Sequence, residues 1–96
     1  MKRSEIVSAL RKFREMNTLR YGIIRMGLFG SAARDDMHEK SDIDVVVELE
    51  EPDMFNLVGI KQDLEDQLHL SVDVVRYRGR MNEFLKRRID EEAVYV

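Results

Sequence analysis

Apolar and polar positions alternate along this chain with periods that predict its elements in order. Ile6, Leu10 and Phe13 recur at helical spacing, with Ala9 and Met16 alongside. They predict a first helix capped by Ser4 and ending before Tyr21-Gly22. Ile23 to Phe29 is an apolar run of strand length that Gly30 ends. Ser31 to Asp36 can make one or two helical turns, and Met37 to Ser41 reads as a polar loop. From Asp42 to Leu49 the period is two: Ile43, Val45, Val47 and Leu49 form one face, and Asp42, Asp44, Val46 and Glu48 the other. Pro52-Asp53 starts a further helix with Leu57, Ile60, Leu64 and Leu68 as its buried stripe. Ser71 to Tyr77 is a strand rich in β-branched residues, and Met81, Phe84, Leu85 and Ile89 mark a last amphipathic helix.

The order is therefore α-β-(α)-β-α-β-α, an α+β fold with a small mixed sheet of about three strands covered by helices. Connection lengths restrict its topology. The second and third strands are joined by a helix of about four turns, which requires a parallel, right-handed crossover. Gly30-Ser31 follows the first strand, whereas Asp42 and Asp44 begin the second, so one ligand can use both only if those strands run antiparallel. Asp73 then lies near the start of the third strand, at the same sheet edge as Asp42 and Asp44.

Composition narrows the class. The 96 residues suit one domain, residues 1–96, with 44% apolar and 36% charged residues and no cysteine. Without cysteine there is neither a disulfide nor a thiolate zinc site, and the expected location is cytoplasmic, with no membrane span. The net charge of −3 argues against a general nucleic-acid binder. Nine acidic residues between Asp35 and Asp53 face one lysine, Lys40, while Arg76 to Arg88 carries six basic residues and one glutamate. These are either an acidic site opposed to a basic segment or two solvated surfaces.

The candidate chemistry lies between Gly30 and Asp44, with Asp73 added by topology. A Gly-Ser turn between a strand and a helical turn lets the backbone approach phosphate and offers unpaired N–H donors. The Ser31 hydroxyl can add to these. Arg34, three residues on, can pair with phosphate oxygens or with Asp35, Asp36 or Glu39. Asp42 and Asp44 share a strand face. Two unit charges about 4 Å apart repel by roughly 4 kcal/mol at an effective dielectric near 20, so such a cluster is exposed, protonated or neutralised by a metal. Oxygen-only ligands favour Mg²⁺ or Mn²⁺ over zinc. His38 and His69 read as surface residues. Arg76, Arg78 and Arg80 read as a solvated loop, and Lys86, Arg87 and Arg88 as the outer face of the last helix.

Three segments carry a family resemblance: Gly30-Ser31-Ala32-Ala33-Arg34, Ser41-Asp42-Ile43-Asp44-Val45-Val46-Val47 and Val72-Asp73-Val74-Val75. Together they resemble the DNA polymerase β nucleotidyltransferase superfamily. More narrowly, the chain is similar to the minimal nucleotidyltransferases (MNT), small proteins related to kanamycin nucleotidyltransferase, and the likeness covers nearly its whole length. The resemblance implies Asp42, Asp44 and Asp73 as catalytic residues holding two Mg²⁺ ions, with Asp73 accepting a proton. It implies Gly30 and Ser31 as holders of the β- and γ-phosphates of a nucleoside triphosphate such as ATP. It also implies a HEPN-domain toxin as partner, neutralised by transfer of AMP to a tyrosine. The alternative is a catalytically weak module that neutralises its partner by masking it. A third reading, modification of a small hydroxylated substrate, lacks an acceptor-binding domain. Acceptor binding in so short a chain calls for self-association or another protein.

Overall fold

The computed structural model describes residues 1–35, 42–51 and 53–96. The expected loop Met37 to Ser41 lies outside the described residues, with Asp36, His38 and Pro52. Helix α1 (Arg3–Tyr21) leads into β1 (Ile23–Phe29) and β2 (Ile43–Leu49). Helix α2 (Met54–Leu68), β3 (Val72–Arg76), α3 (Glu83–Glu92) and β4 (Val94–Tyr95) follow. The sheet order is β3-β2-β1-β4, with β2 parallel to β3 and β1 antiparallel to both β2 and β4. The parallel β2–β3 pairing is the one that the connection length requires, and the antiparallel β1–β2 pairing is the one that a ligand shared by the Gly30-Ser31 turn and Asp42 and Asp44 requires.

Three details depart from the sequence expectations. The sheet has four strands instead of about three, because Val94–Tyr95 pairs with Leu28 and Gly27 of β1; two residues are too few to show a period. A Cβ on Gly27 would stand 2.9 Å from the Tyr95 ring, so only glycine admits this strand. Helix α1 starts two residues earlier than a Ser4 cap allows. Lys2 is its N-cap, and the Lys2 backbone N–H donates to Glu5 Oε1 at 3.1 Å. Tyr21 belongs to the helix, and left-handed Gly22 (φ 65°) ends it by donating to the Thr18 carbonyl. The segment after Gly30 makes a single turn, with Arg34 N–H donating to the Gly30 carbonyl at 3.2 Å. Asp35 then turns left-handed at φ 58°.

The two sheet faces are covered unequally. Ile43, Val45, Val47 and Val72 pack with Ile6, Leu10 and Phe13 of α1 and Ile60, Leu64 and Leu68 of α2. The opposite face holds a smaller cluster of Phe29, Val46 and Ile89, with Leu85, Met81 and Val75 packed against it. Helix α3 thus covers only part of its side, and Phe84, expected in its buried stripe, is 76% exposed. Among the described residues, no helix is long and apolar enough to cross a membrane.

Leu64 is wholly buried. Leu64→Ala should therefore lower unfolding free energy by about 2–5 kcal/mol in urea denaturation. Phe84→Ala should change it by no more than about 0.5 kcal/mol. A large loss from the second would show that α3 packs on a different face.

Candidate functional site

Parallel pairing puts Asp44 of β2 directly beside Asp73 of β3. Neighbouring strands lie about 4.8 Å apart and registered residues share a face, so the two carboxylates leave the sheet together, on the α3 side. On the other flank Asp44 is registered with Phe29, the last residue of β1, and Gly30 follows at once. Gly30 has φ +74°, and a Cβ there would collide with Asp44 Oδ2. Glycine is required twice over, by its backbone angle and by the carboxylate lying against it.

Asp44 is half-buried, whereas Asp42 and Asp73 are exposed. Loss of water around Asp44 raises its pKa above the usual aspartate value, and the charges of Asp73 and Asp42 push the same way. Arg88 and Arg34 oppose that rise. Among the described residues, no three acidic or histidine side chains lie close enough to hold a metal ion as they stand. The structure thus brings Asp44 and Asp73 into register and leaves Asp42 exposed ahead of β2. The donors present are carboxylate oxygens, which suit a hard cation such as magnesium, and the mutual repulsion at Asp44 is of the kind a cation relieves.

β3 is an edge strand, and α2 fixes its start. Ile43 N–H donates to the Ser71 carbonyl at 2.9 Å, so the polar groups of Val72 face away from β2. They meet α2 instead. Lys61 Nζ donates to the Val72 carbonyl at 2.6 Å, and the Val72 N–H donates to Glu65 Oε2 at 3.1 Å. That N–H holds the Glu65 carboxyl below its usual pKa. The clamp grips the residue immediately before Asp73.

Gly30, Ser31 and Arg34 occupy the turn beside Asp44, with Gly30 buried, Ser31 half-buried and Arg34 exposed. Arg34 has a partner that the sequence did not suggest. Its Nη1 lies 2.9 Å from Oε1 of Glu92, at the far end of the chain, while the Gly30 N–H donates to Oε2 of the same carboxylate at 3.2 Å. Two residues of this site were missed in the sequence, both on α3. Glu92 touches the turn, and the Arg88 guanidinium lies 5.9 Å from the Phe29 ring centroid, near enough to act on Asp44. Arg88 therefore does not belong to a purely outer face. The signal was present: Glu92 follows Leu85 by seven residues and Arg88 follows it by three, so both lie on or beside its packed stripe. Arg76 and Arg78 line a groove of about 430 Å³ between α2 and α3, toward the other end of β3 from Asp73. His69 is the exposed left-handed cap of α2.

The raised pKa of Asp44 has a consequence for stability. The folded chain holds this proton more tightly than the unfolded chain does, so the associated stability is full below the ordinary aspartate range and is lost as pH rises through the raised value. Asp44→Asn should raise Tm at pH 7 without divalent cations, by about 4–8 °C for each kcal/mol gained in a domain of this size. The gain should vanish near pH 3. A pH-independent change would assign the effect to packing instead of charge.

Comparison with known proteins agrees with this geometry. The family model described as "Nucleotidyltransferase domain" matches residues 8–96. A Methanocaldococcus jannaschii protein provisionally named a protein adenylyltransferase is 37% identical over 94 residues, covering 97% of this chain and 96% of its own. The Thermococcus cleftensis protein adenylyltransferase MntA is 32% identical over 93 residues, covering 96% and 93%. A solved structure provisionally described as a minimal nucleotidyltransferase superposes with a TM-score of 0.80 at 33% identity, covering 98% and 95%. A toxin–antitoxin crystal structure with AMP-PNP shares the fold, with a TM-score of 0.70 at 24% identity, covering 88% and 70%. A paired Asp44 and Asp73 beside a glycine turn, on a chain matched almost end to end, leaves one conclusion: this chain is a transferase belonging to the nucleotidyltransferase domain family.

Proposed function

We propose that this chain transfers AMP from ATP, in the presence of Mg²⁺, to a hydroxyl group of a partner protein. The acceptor is a tyrosine of a HEPN-domain toxin, and the transfer neutralises that toxin. The observation that carries the reading is the registered pair Asp44 and Asp73 beside the Gly30 turn. Its support in the comparisons is the pair of adenylyltransferase names and the toxin–antitoxin complex with a triphosphate analogue. The chain acts as one domain in the cytoplasm.

Asp42, Asp44 and Asp73 would hold two magnesium ions, which supply charge neutralisation for the triphosphate and lower the pKa of an oxygen bound to them. The Gly30–Ser31 backbone and the Ser31 hydroxyl receive the β- and γ-phosphates, and Arg34 adds a cation at that end. The acceptor oxygen attacks the α-phosphorus, the bond to the bridging oxygen of the β-phosphate breaks, and pyrophosphate leaves. Asp73 is exposed on an edge strand, open to an incoming protein, and its carboxylate takes the hydroxyl proton. Arg88, on the α3 side of Asp44, opposes the rise in that carboxyl's pKa and so favours its ionised form.

Incubation with α-labelled ATP, Mg²⁺ and a HEPN-domain partner protein should label a tyrosine of that partner. Asp73→Asn should slow labelling on the order of 10²–10⁴-fold, the scale of a lost general base. If Asp42→Asn/Asp44→Asn still silences the toxin without labelling it, the chain works by masking and the transfer reading fails.

A further inference from the structure

We propose that Glu92 is a built-in competitor for the triphosphate, occupying the phosphate turn until nucleotide displaces it. This rests on the reading of Gly30, Ser31 and Arg34 as the triphosphate site. Both oxygens of the Glu92 carboxylate are engaged. Oε2 accepts the Gly30 N–H at 3.2 Å, and Oε1 accepts from Arg34 Nη1 at 2.9 Å. A backbone N–H next to a guanidinium is the donor pair that a phosphate seeks, and a carboxylate satisfies it with the same charge sign. The Gly30 N–H cannot serve two anions in full, and the two anions repel each other at that distance. Bound triphosphate and the observed Glu92 contact therefore exclude one another.

The position of Glu92 gives the exchange a route into the rest of the molecule. It is the last residue of α3, separated from β4 by Ala93 alone, and β4 is paired with Gly27 and Leu28 of β1. The Val96 N–H donates to the Met26 carbonyl at 2.9 Å, and Arg14 of α1 donates to the Val96 carbonyl at 2.8 Å. When Glu92 leaves the turn, the strain falls on this short strand and on the last turn of α3. A protein that binds α3 or β4 and draws Glu92 away would raise nucleotide affinity, which makes the site responsive to its partner.

The test is calorimetric titration of the full chain with AMP-PNP and with AMP, both with Mg²⁺. Glu92→Gln should bind AMP-PNP about 10-fold tighter, the size of one lost charge-assisted competitor. AMP, which lacks the outer phosphates, should bind both proteins equally. Unchanged or weaker AMP-PNP binding by the variant overturns the proposal, and weaker binding would make Glu92 a support for Arg34. Arg34→Ala separates this failure from that of the site itself. If Arg34→Ala weakens AMP-PNP binding while Glu92→Gln leaves it unchanged, only the competitor role falls; if Arg34→Ala has no effect, the turn is not the triphosphate site and both readings fall. A second measurement needs no variant. AMP-PNP added to the unaltered chain should speed amide hydrogen exchange in residues 92–96 several-fold, and unchanged or slower exchange there overturns the proposal.

Discussion

Two like charges held side by side on adjacent parallel strands are the constraint around which this molecule is arranged. Asp44 and Asp73 are fixed by β-ladder pairing, not by flexible loops, so neither can retreat far from the other. At the spacing of neighbouring strands their repulsion is several kcal/mol at an effective dielectric near 20. The surroundings answer that cost on three sides. Arg88 and Arg34 approach from α3 and from the turn, Asp73 keeps its exposure to water at the sheet edge, and Gly30 gives up a side chain to make room for Asp44. What remains is a site whose charge is only partly balanced by the protein, the condition in which a cation and a polyanion bind best together.

Such a site would be useless if β3 could slip. β3 is five residues long and has a neighbour on one side only. Lys61 and Glu65 supply the missing neighbour by taking both outward polar groups of Val72, as another strand would. They sit four residues apart on α2 and also pair with each other at 3.4 Å. The same helix buries Ile60 and Leu64 in the main core, so core packing is passed directly to the placement of Asp73. Because Glu65 is held below its usual pKa, the clamp loses strength as pH falls into the carboxylate range.

The legible part of the sequence was the part written in periods and connection lengths. Ile43, Val45, Val47 and Leu49 alternate with Asp44, Val46 and Glu48, and the structure buries the first set against α1 and α2. The length of α2 imposed the parallel β2–β3 pairing, and that alone aligned Asp73 with Asp44. The illegible part depended on contacts distant in sequence. Glu92 is 62 residues from Gly30, and no local pattern joins them. Phe84 looked buried because it is large and apolar, yet α3 needs only Leu85 and Ile89 to cover Phe29 and Val46. β4 is visible mainly through Gly27, a glycine inside an apolar strand whose reason is the Tyr95 ring.

The position of the site on the sheet follows from the period that makes the core. Along the α3 face of β2 the residues run Asp44, Val46, Glu48, and beside them on β3 run Asp73 and Val75. Each step of two residues changes the chemistry: acid at one end, a small apolar patch in the middle, and the Arg25–Glu48 ion pair at 2.9 Å at the other end. At that far end Arg25 lies between the Tyr77 and Tyr95 rings, at 5.1 and 4.6 Å from their centroids, which closes the face where the carboxylates leave it open. A slip of one residue in β2 would turn Asp44 into the core with α1 and α2 and put Val45 at the site. The cost of burying an unpaired carboxylate opposes that slip. The selection for a functional register and the selection for a stable fold therefore act in the same direction, and the site stays where the hydrophobic pattern puts it.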